Sequence, residues 1–108
     1  MSISTIMNTA VSGMMAQDTR LSAVANNIAN LQTSGYGRQV TNFSSLSPNG
    51  VQATVTQDPP PTTPGASDVD PTTEITDMIE SQAGFDANAA AFETGADLWQ
   101  VLASMKRD

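Results

Sequence analysis

The stretch Ile3-Ser-Thr-Ile-Met7-Asn-Thr-Ala10-Val-Ser-Gly-Met14-Met-Ala-Gln17-Asp-Thr-Arg-Leu21-Ser-Ala-Val24-Ala-Asn-Asn-Ile28-Ala-Asn-Leu31 decides the fold. Apolar or core-compatible residues recur at Ile3, Met7, Ala10, Met14, Gln17, Leu21, Val24, Ile28 and Leu31, at spacings that alternate four and three. This is the heptad pattern of a helix that lays one narrow seam on a partner, sustained over about four repeats with Gln17 as its polar break. A strand would need alternation at period two, which is absent.

A second stretch has the same property. Ile75, Met78, Gln82, Phe85, Ala89, Phe92, Ala96, Trp99 and Ala103 follow one another at spacings of three and four, with Gln82 as the polar break. One seam position is large (Met78, Phe85, Phe92, Trp99) and the other mostly small (Ala89, Ala96, Ala103), a combination suited to interdigitation with a facing helix. Asp70 is placed to cap this helix, Pro71 suits its first turn, and Glu74 and Asp77 oppose the positive end of its dipole. Lys106 and Arg107 suit the opposite end.

All six prolines fall between Pro48 and Pro71. The run Asp58-Pro-Pro-Pro-Thr-Thr-Pro-Gly65 is incompatible with helix or central strand and reads as a semi-extended linker. Val51, Ala53 and Val55 alternate with Gln52, Thr54 and Thr56 as a half-buried strand does, and Tyr36 to Phe43 is its candidate partner across Ser47-Pro-Asn-Gly50. The chain therefore divides into a heptad helix over 1–34, a turn-rich and Pro-rich connection over 35–70 that includes this candidate β-hairpin, and a second heptad helix over 71–108. The fold class expected is mainly α, two long terminal helices paired as an antiparallel coiled-coil hairpin in one domain.

Composition narrows function. In 108 residues there is no histidine and no cysteine, which removes the commonest general base, the commonest metal ligands and any disulfide. Catalytic, cofactor and metal sites are accordingly not expected. Eleven acids against four bases give a formal charge of −7, which opposes phosphate backbones and argues against nucleic-acid partners. The N-terminus carries neither a basic n-region nor a long apolar run, so no cleaved signal and no membrane insertion are expected. From Asp70 onward eight acids face two bases, and this like-charged face should favour unlike contacts over self-pairing.

Asn26, Asn27 and Asn30 near the end of the first helix admit two readings. Either they satisfy loose carbonyls at a fraying terminus that Gly35 closes in the left-handed conformation, or they form a specific polar interface. Near the C-terminus Leu98, Trp99, Val101, Leu102 and Met105 point in several directions, more than one partner helix can cover. Asp68-Val-Asp70 begins like a calcium loop, but Pro71 interrupts it, so a helix cap is the better reading.

The run from Gly13 to Tyr36, with Ala25-Asn26-Asn27-Ile28-Ala29-Asn30 followed by Thr33-Ser-Gly35-Tyr36, closely resembles the N-terminal signature of flagellar rod, hook and hook-associated proteins. Independently, Met78 to Asn88, ending Phe85-Asp-Ala-Asn88, resembles the C-terminal motif of the same family. The resemblance implies an axial subunit whose terminal helices pair in the inner layer of a hollow helical assembly. By size it is most similar to the short proximal-rod members, the FlgB and FlgC type. It further implies other rod and axial proteins or further copies as partners, passage through the flagellar type III export apparatus, and location in the periplasm-spanning rod of the basal body. The residues carrying these expectations are Ile3, Met7, Met14, Leu21, Val24, Asn26, Asn27, Ile28, Asn30, Gly35 and Tyr36, with Ile75, Met78, Gln82, Phe85, Asn88, Phe92 and Trp99. Two positions depart from the pattern: Ala83-Gly84-Phe85 stands where the family usually has arginine and tyrosine, and Gly37 where lysine commonly follows Gly-Tyr. A soluble helical adaptor or export regulator sharing the same interface is the alternative reading.

Overall fold

The computed structural model describes residues 2–107; Met1 and Asp108, the outer bounds of the expected division, lie outside the described residues. The order is α1 (Ile3–Ala29), β1 (Gln39–Ser45), β2 (Val51–Gln57) and α2 (Pro71–Arg107). Ser2 caps α1 by accepting the Thr5 N–H at 3.1 Å, and Asp70 caps α2, accepting the Thr72 N–H at 3.2 Å and the Thr73 hydroxyl at 2.9 Å. After α1, Gly35 adopts φ +75, a left-handed value that a side chain would disfavour.

The helices are antiparallel neighbours: Met7 lies against Gly95, Gly13 against Asn88, Gln17 against Gly84 and Asn27 against Glu74. This contact line differs from the expected seam. On α2 it runs through Glu74, Asp77, Ser81, Gly84, Asn88 and Gly95, one residue N-terminal to the large series, which amounts to a rotation of about 100° on a helix of 3.6 residues per turn. The cause is side-chain size. Glycine and serine let the backbones approach, while Met78 and Phe85 are displaced to the rim and remain exposed. Apart from Asn27, the buried residues of α1 are likewise small, Ala10, Gly13, Ala16 and Ala23 with Val24.

Both strands pack on α1, which alone also carries α2. They pair antiparallel from Gln39 opposite Gln57 to Ser45 opposite Val51, and Gly50, at φ +111, closes the turn by accepting the Leu46 N–H at 2.9 Å. Two side chains of α1 hold the ribbon. The Ser12 hydroxyl accepts the Val51 N–H at 3.2 Å near the turn, and Asn27 bonds both backbone groups of Gln39 at 2.8 Å at the open end. The spans agree: the helix between those anchors rises roughly 22 Å, and a seven-residue strand covers about 23 Å. Val51 and Ala53 are half-buried as their alternation implied, whereas Val55 is exposed because only one layer lies beneath the hairpin.

The Pro-rich segment differs from a free linker. It runs back beside residues 35–38, where the Gly35 N–H donates to the Ala66 carbonyl (2.9 Å), the Asp68 N–H to Tyr36 (3.0 Å) and the Asp58 N–H to Arg38 (2.8 Å). These bonds use main-chain groups that proline content does not reveal. They also explain Gly37, which is buried with its α-carbon against the Asp58 carbonyl, leaving no room for a Cβ. Gly37→Ala should cost about 1–3 kcal/mol through forced backbone displacement. A urea midpoint unchanged from the parent would show that the segment gives way freely.

The molecule measures 71 × 24 × 14 Å, an elongated and thin shape in which few side chains are fully covered. Among the described residues no helix is long and apolar enough to cross a membrane.

Candidate functional site

Three features could carry function: a polar junction, an apolar groove and an uncovered helix tip. The junction forms where α1, α2 and the start of β1 meet. Arg20 of α1 donates to Asp77 (2.9 Å) and Glu80 (2.8 Å), while Arg38 donates to Glu74 through Nε and to Asp77 through Nη2 at 2.9 Å. Asp77 thus links the two arginines, and the spacing of Glu74, Asp77 and Glu80 keeps all three acids on one side of α2. The Arg20 guanidinium also lies 5.9 Å from the centroid of Phe43 in β1. Burial opposes the charge on both arginines, yet the hydrogen bonds and Coulombic attraction of these acids outweigh it and raise both pKa values. Glu80 therefore belongs to an ion-pair network within the chain, which removes it from the free acidic face that charge counting suggested.

Beneath this network, Asn27 and Glu74 are 1% and 0% exposed. Asn27 Oδ1 accepts from the Gln39 N–H and the Tyr36 hydroxyl, both at 2.8 Å, and Nδ2 donates to the Gln39 carbonyl at 2.8 Å and to Glu74 Oε2 at 3.2 Å. Asn26 donates to the Tyr36 oxygen at 2.9 Å, and Asn30 Nδ2 to the Asn26 carbonyl at 2.8 Å. Of the two readings of the asparagines, each holds in part: Asn30 satisfies a helix-end carbonyl, and Asn27 is a polar interface. The junction holds acids and guanidinium groups already committed to one another, and among the described residues no three potential ligands stand together to hold a metal.

The remaining residues singled out by sequence fall into two sets. Met7 and Asn88 lie in the helix–helix contact and Val24 is buried, with Ile3, Met14 and Phe92 half-buried. Leu21, Ile28, Ile75, Met78, Gln82, Phe85 and Trp99 are exposed. Some of the exposed set adjoin: Leu21, Met78, Gln82 and Phe85, with Gln17, Asp18 and Ser81, line an apolar groove of about 370 Å³ between the helices. Gln17 packs on Gly84, and its Oε1 is buried with no hydrogen-bond partner. Sequence reading did not single out Arg38, Glu74, Ser12, Gly13, Gly84 or Gly95 for these roles. The helical glycines carried a signal, since each costs about 1 kcal/mol relative to alanine unless a close neighbour requires it.

At the far end the register brings Ile3 near the level of Leu98, so α2 continues past α1 from Trp99 to Arg107. That overhang exposes Trp99 (60%), Val101, Leu102 and Met105 (66%).

Residues 7–36 match the family model of the flagella basal body rod protein, and residues 65–105 match that of the flagellar basal body rod FlgEFG protein C-terminal region. The two segments include most of α1 and nearly all of α2. The flagellar hook protein FlgE of Brucella abortus is 61% identical over 46 residues, which are 43% of this chain and 12% of that protein. FlgE of Rhizobium meliloti is 59% identical over 46 residues, 43% of this chain and 11% of the hook protein. FlgE of Caulobacter vibrioides is 44% identical over 50 residues, 46% and 8%. The matched stretch is thus about an eighth or less of each of these relatives.

Proposed function

This chain belongs to the flagellar rod and hook protein family, and from that premise we propose that it is a structural subunit of the basal-body rod that polymerises through its terminal helices. One observation carries the reading. The two family-matched segments form the antiparallel helix pair, and that pair leaves large apolar side chains uncovered both along its rim and on the overhanging end of α2. A surface of this kind is unfavourable in water and is what further subunits would cover. A rod role rather than a hook role is supported by the middle of the chain, where a single two-stranded hairpin joins the helices. The partners proposed are further copies and other axial proteins, delivered by the flagellar type III export apparatus to the periplasm-spanning rod.

The function needs no catalytic group, and the families matched are structural ones. Deleting the gene should abolish swimming and leave isolated basal bodies without complete rods. A tagged chain returned to that strain should copurify with basal bodies at fixed stoichiometry. Normal rods in the deletion strain, or a tagged chain that stays cytoplasmic and substoichiometric, would overturn the structural role and favour an export regulator.

A further inference from the structure

We propose that the overhanging tip of α2 in one copy docks into the apolar groove between α1 and α2 of a second copy, a contact that rests on the self-assembly reading and specifies its geometry. The two surfaces complement each other in three independent respects.

The first is shape and apolarity. Trp99, Leu102, Ala103 and Lys106 form one continuous face of the tip, beyond the reach of the chain's own α1. The groove, walled by Leu21, Met78 and Phe85, has a volume of about 370 Å³, toward the small end of ligand-sized pockets and suited to one or two large side chains. Trp99 is the single tryptophan, and tryptophan is, with tyrosine and arginine, a residue type enriched among interface anchors.

Charge is the second. The chain has four bases, and Arg20 and Arg38 are committed to the junction. Lys106 and Arg107 make no ion pair with any described acid and sit at the tip. On the groove, Asp18 is an unpaired lining residue, and Asp86 follows Gln82 by one helical turn on the same face. A basic tip approaching an acidic rim gains in encounter rate and in register.

Hydrogen bonding is the third. Gln17 is one of the groove residues, and its amide oxygen is buried without a partner, an arrangement that costs free energy until a donor reaches it. The Trp99 indole N–H is a donor only. A tip seated in the groove supplies such a donor on the side of the molecule where Gln17 lies.

Tip and groove are different patches of one molecule. Their contact is therefore heterologous, and repeating it yields a ring or an open filament rather than a closed two-fold dimer.

The chain contains no cysteine, so introduced thiols report on this contact alone. Gln82→Cys marks the groove and Ala103→Cys the tip, both at exposed positions. An untagged Gln82→Cys chain mixed with a tagged Ala103→Cys chain and mildly oxidised should give mostly the mixed disulfide rather than either like pair. Lys106→Glu should lower its yield about threefold, and Asp18→Lys added to the other chain should restore it. Like pairs in excess, or sedimenting assemblies with no mixed disulfide, would overturn the tip-in-groove contact while leaving self-assembly intact. A chain that stays monomeric and unlinked also overturns the contact, and basal-body fractionation then decides the rod role separately.

Discussion

Replacing Arg38 with methionine is expected to lower stability by about 3–5 kcal/mol, the cost of leaving one partner of a buried ion pair without its counter-charge. Glu74 is 0% exposed, and its carboxylate receives Arg38 Nε on one oxygen and only the 3.2 Å amide of Asn27 on the other. Without Arg38 the charge has no cation in contact and no water to solvate it, and Asp77 also loses one of its two arginines. For a chain only 14 Å thick along its shortest axis this is a large fraction of the whole, since small domains are stable by only about 5–15 kcal/mol. The double variant Arg38→Met with Glu74→Met should recover most of the loss, because paired apolar groups remove the uncompensated charge. Urea midpoints of the parent, both single variants and the double variant give the coupling. A value of at least about 2 kcal/mol is expected; additivity of the two single effects would mean that water reaches Glu74.

The sequence pattern shows why this network and the helix pairing differ in legibility. Heptad spacing at Met7, Met14 and Val24, and again at Met78, Phe85 and Phe92, identifies two helices that pair, because spacing reports a face whatever covers it. The rotation of the contact line is invisible for the same reason. A row of large side chains reads as the buried seam, yet in this chain the line of closest approach holds Ser81, Gly84 and Gly95, and the large row stands on the rim. If the rim is where another subunit lies, periodicity has registered two interfaces superimposed on one helix. Gly37 departs from the family pattern at a point where a Cβ would strike the Asp58 carbonyl, so this departure has a local steric cause. The Arg38–Glu74 pair lies 36 residues apart in sequence and in no periodic relation, and the turns of the Pro-rich segment are held by main-chain bonds. Neither leaves a trace in residue spacing.

Asn27 provides the other large effect, with Asn26 as its internal control. The two asparagines are adjacent, and both bond Tyr36. Only Asn27 is buried, and it uses the full capacity of its amide, two bonds accepted by Oδ1 and two donated by Nδ2. Asn27→Ala should therefore cost about 3 kcal/mol, since the Gln39 N–H, the Gln39 carbonyl and Glu74 each lose a partner where water is largely excluded. Asn26→Ala should cost less than about 1 kcal/mol, because its bond is exposed and water replaces it. Asn27→Asp keeps the shape but removes both donors and sets a second carboxylate against Glu74. It should be at least as destabilising as alanine near neutral pH, with the deficit shrinking as acid protonates the introduced group. Site-resolved amide exchange separates a junction from mere packing. If Asn27 clamps the open end of the hairpin, its loss should accelerate exchange at Gln39 by about tenfold or more, while Val51, held by Ser12 at the other end, changes only with the global stability. Equal acceleration at both amides would show that the hairpin is held as one unit and that Asn27 has no local hold on it.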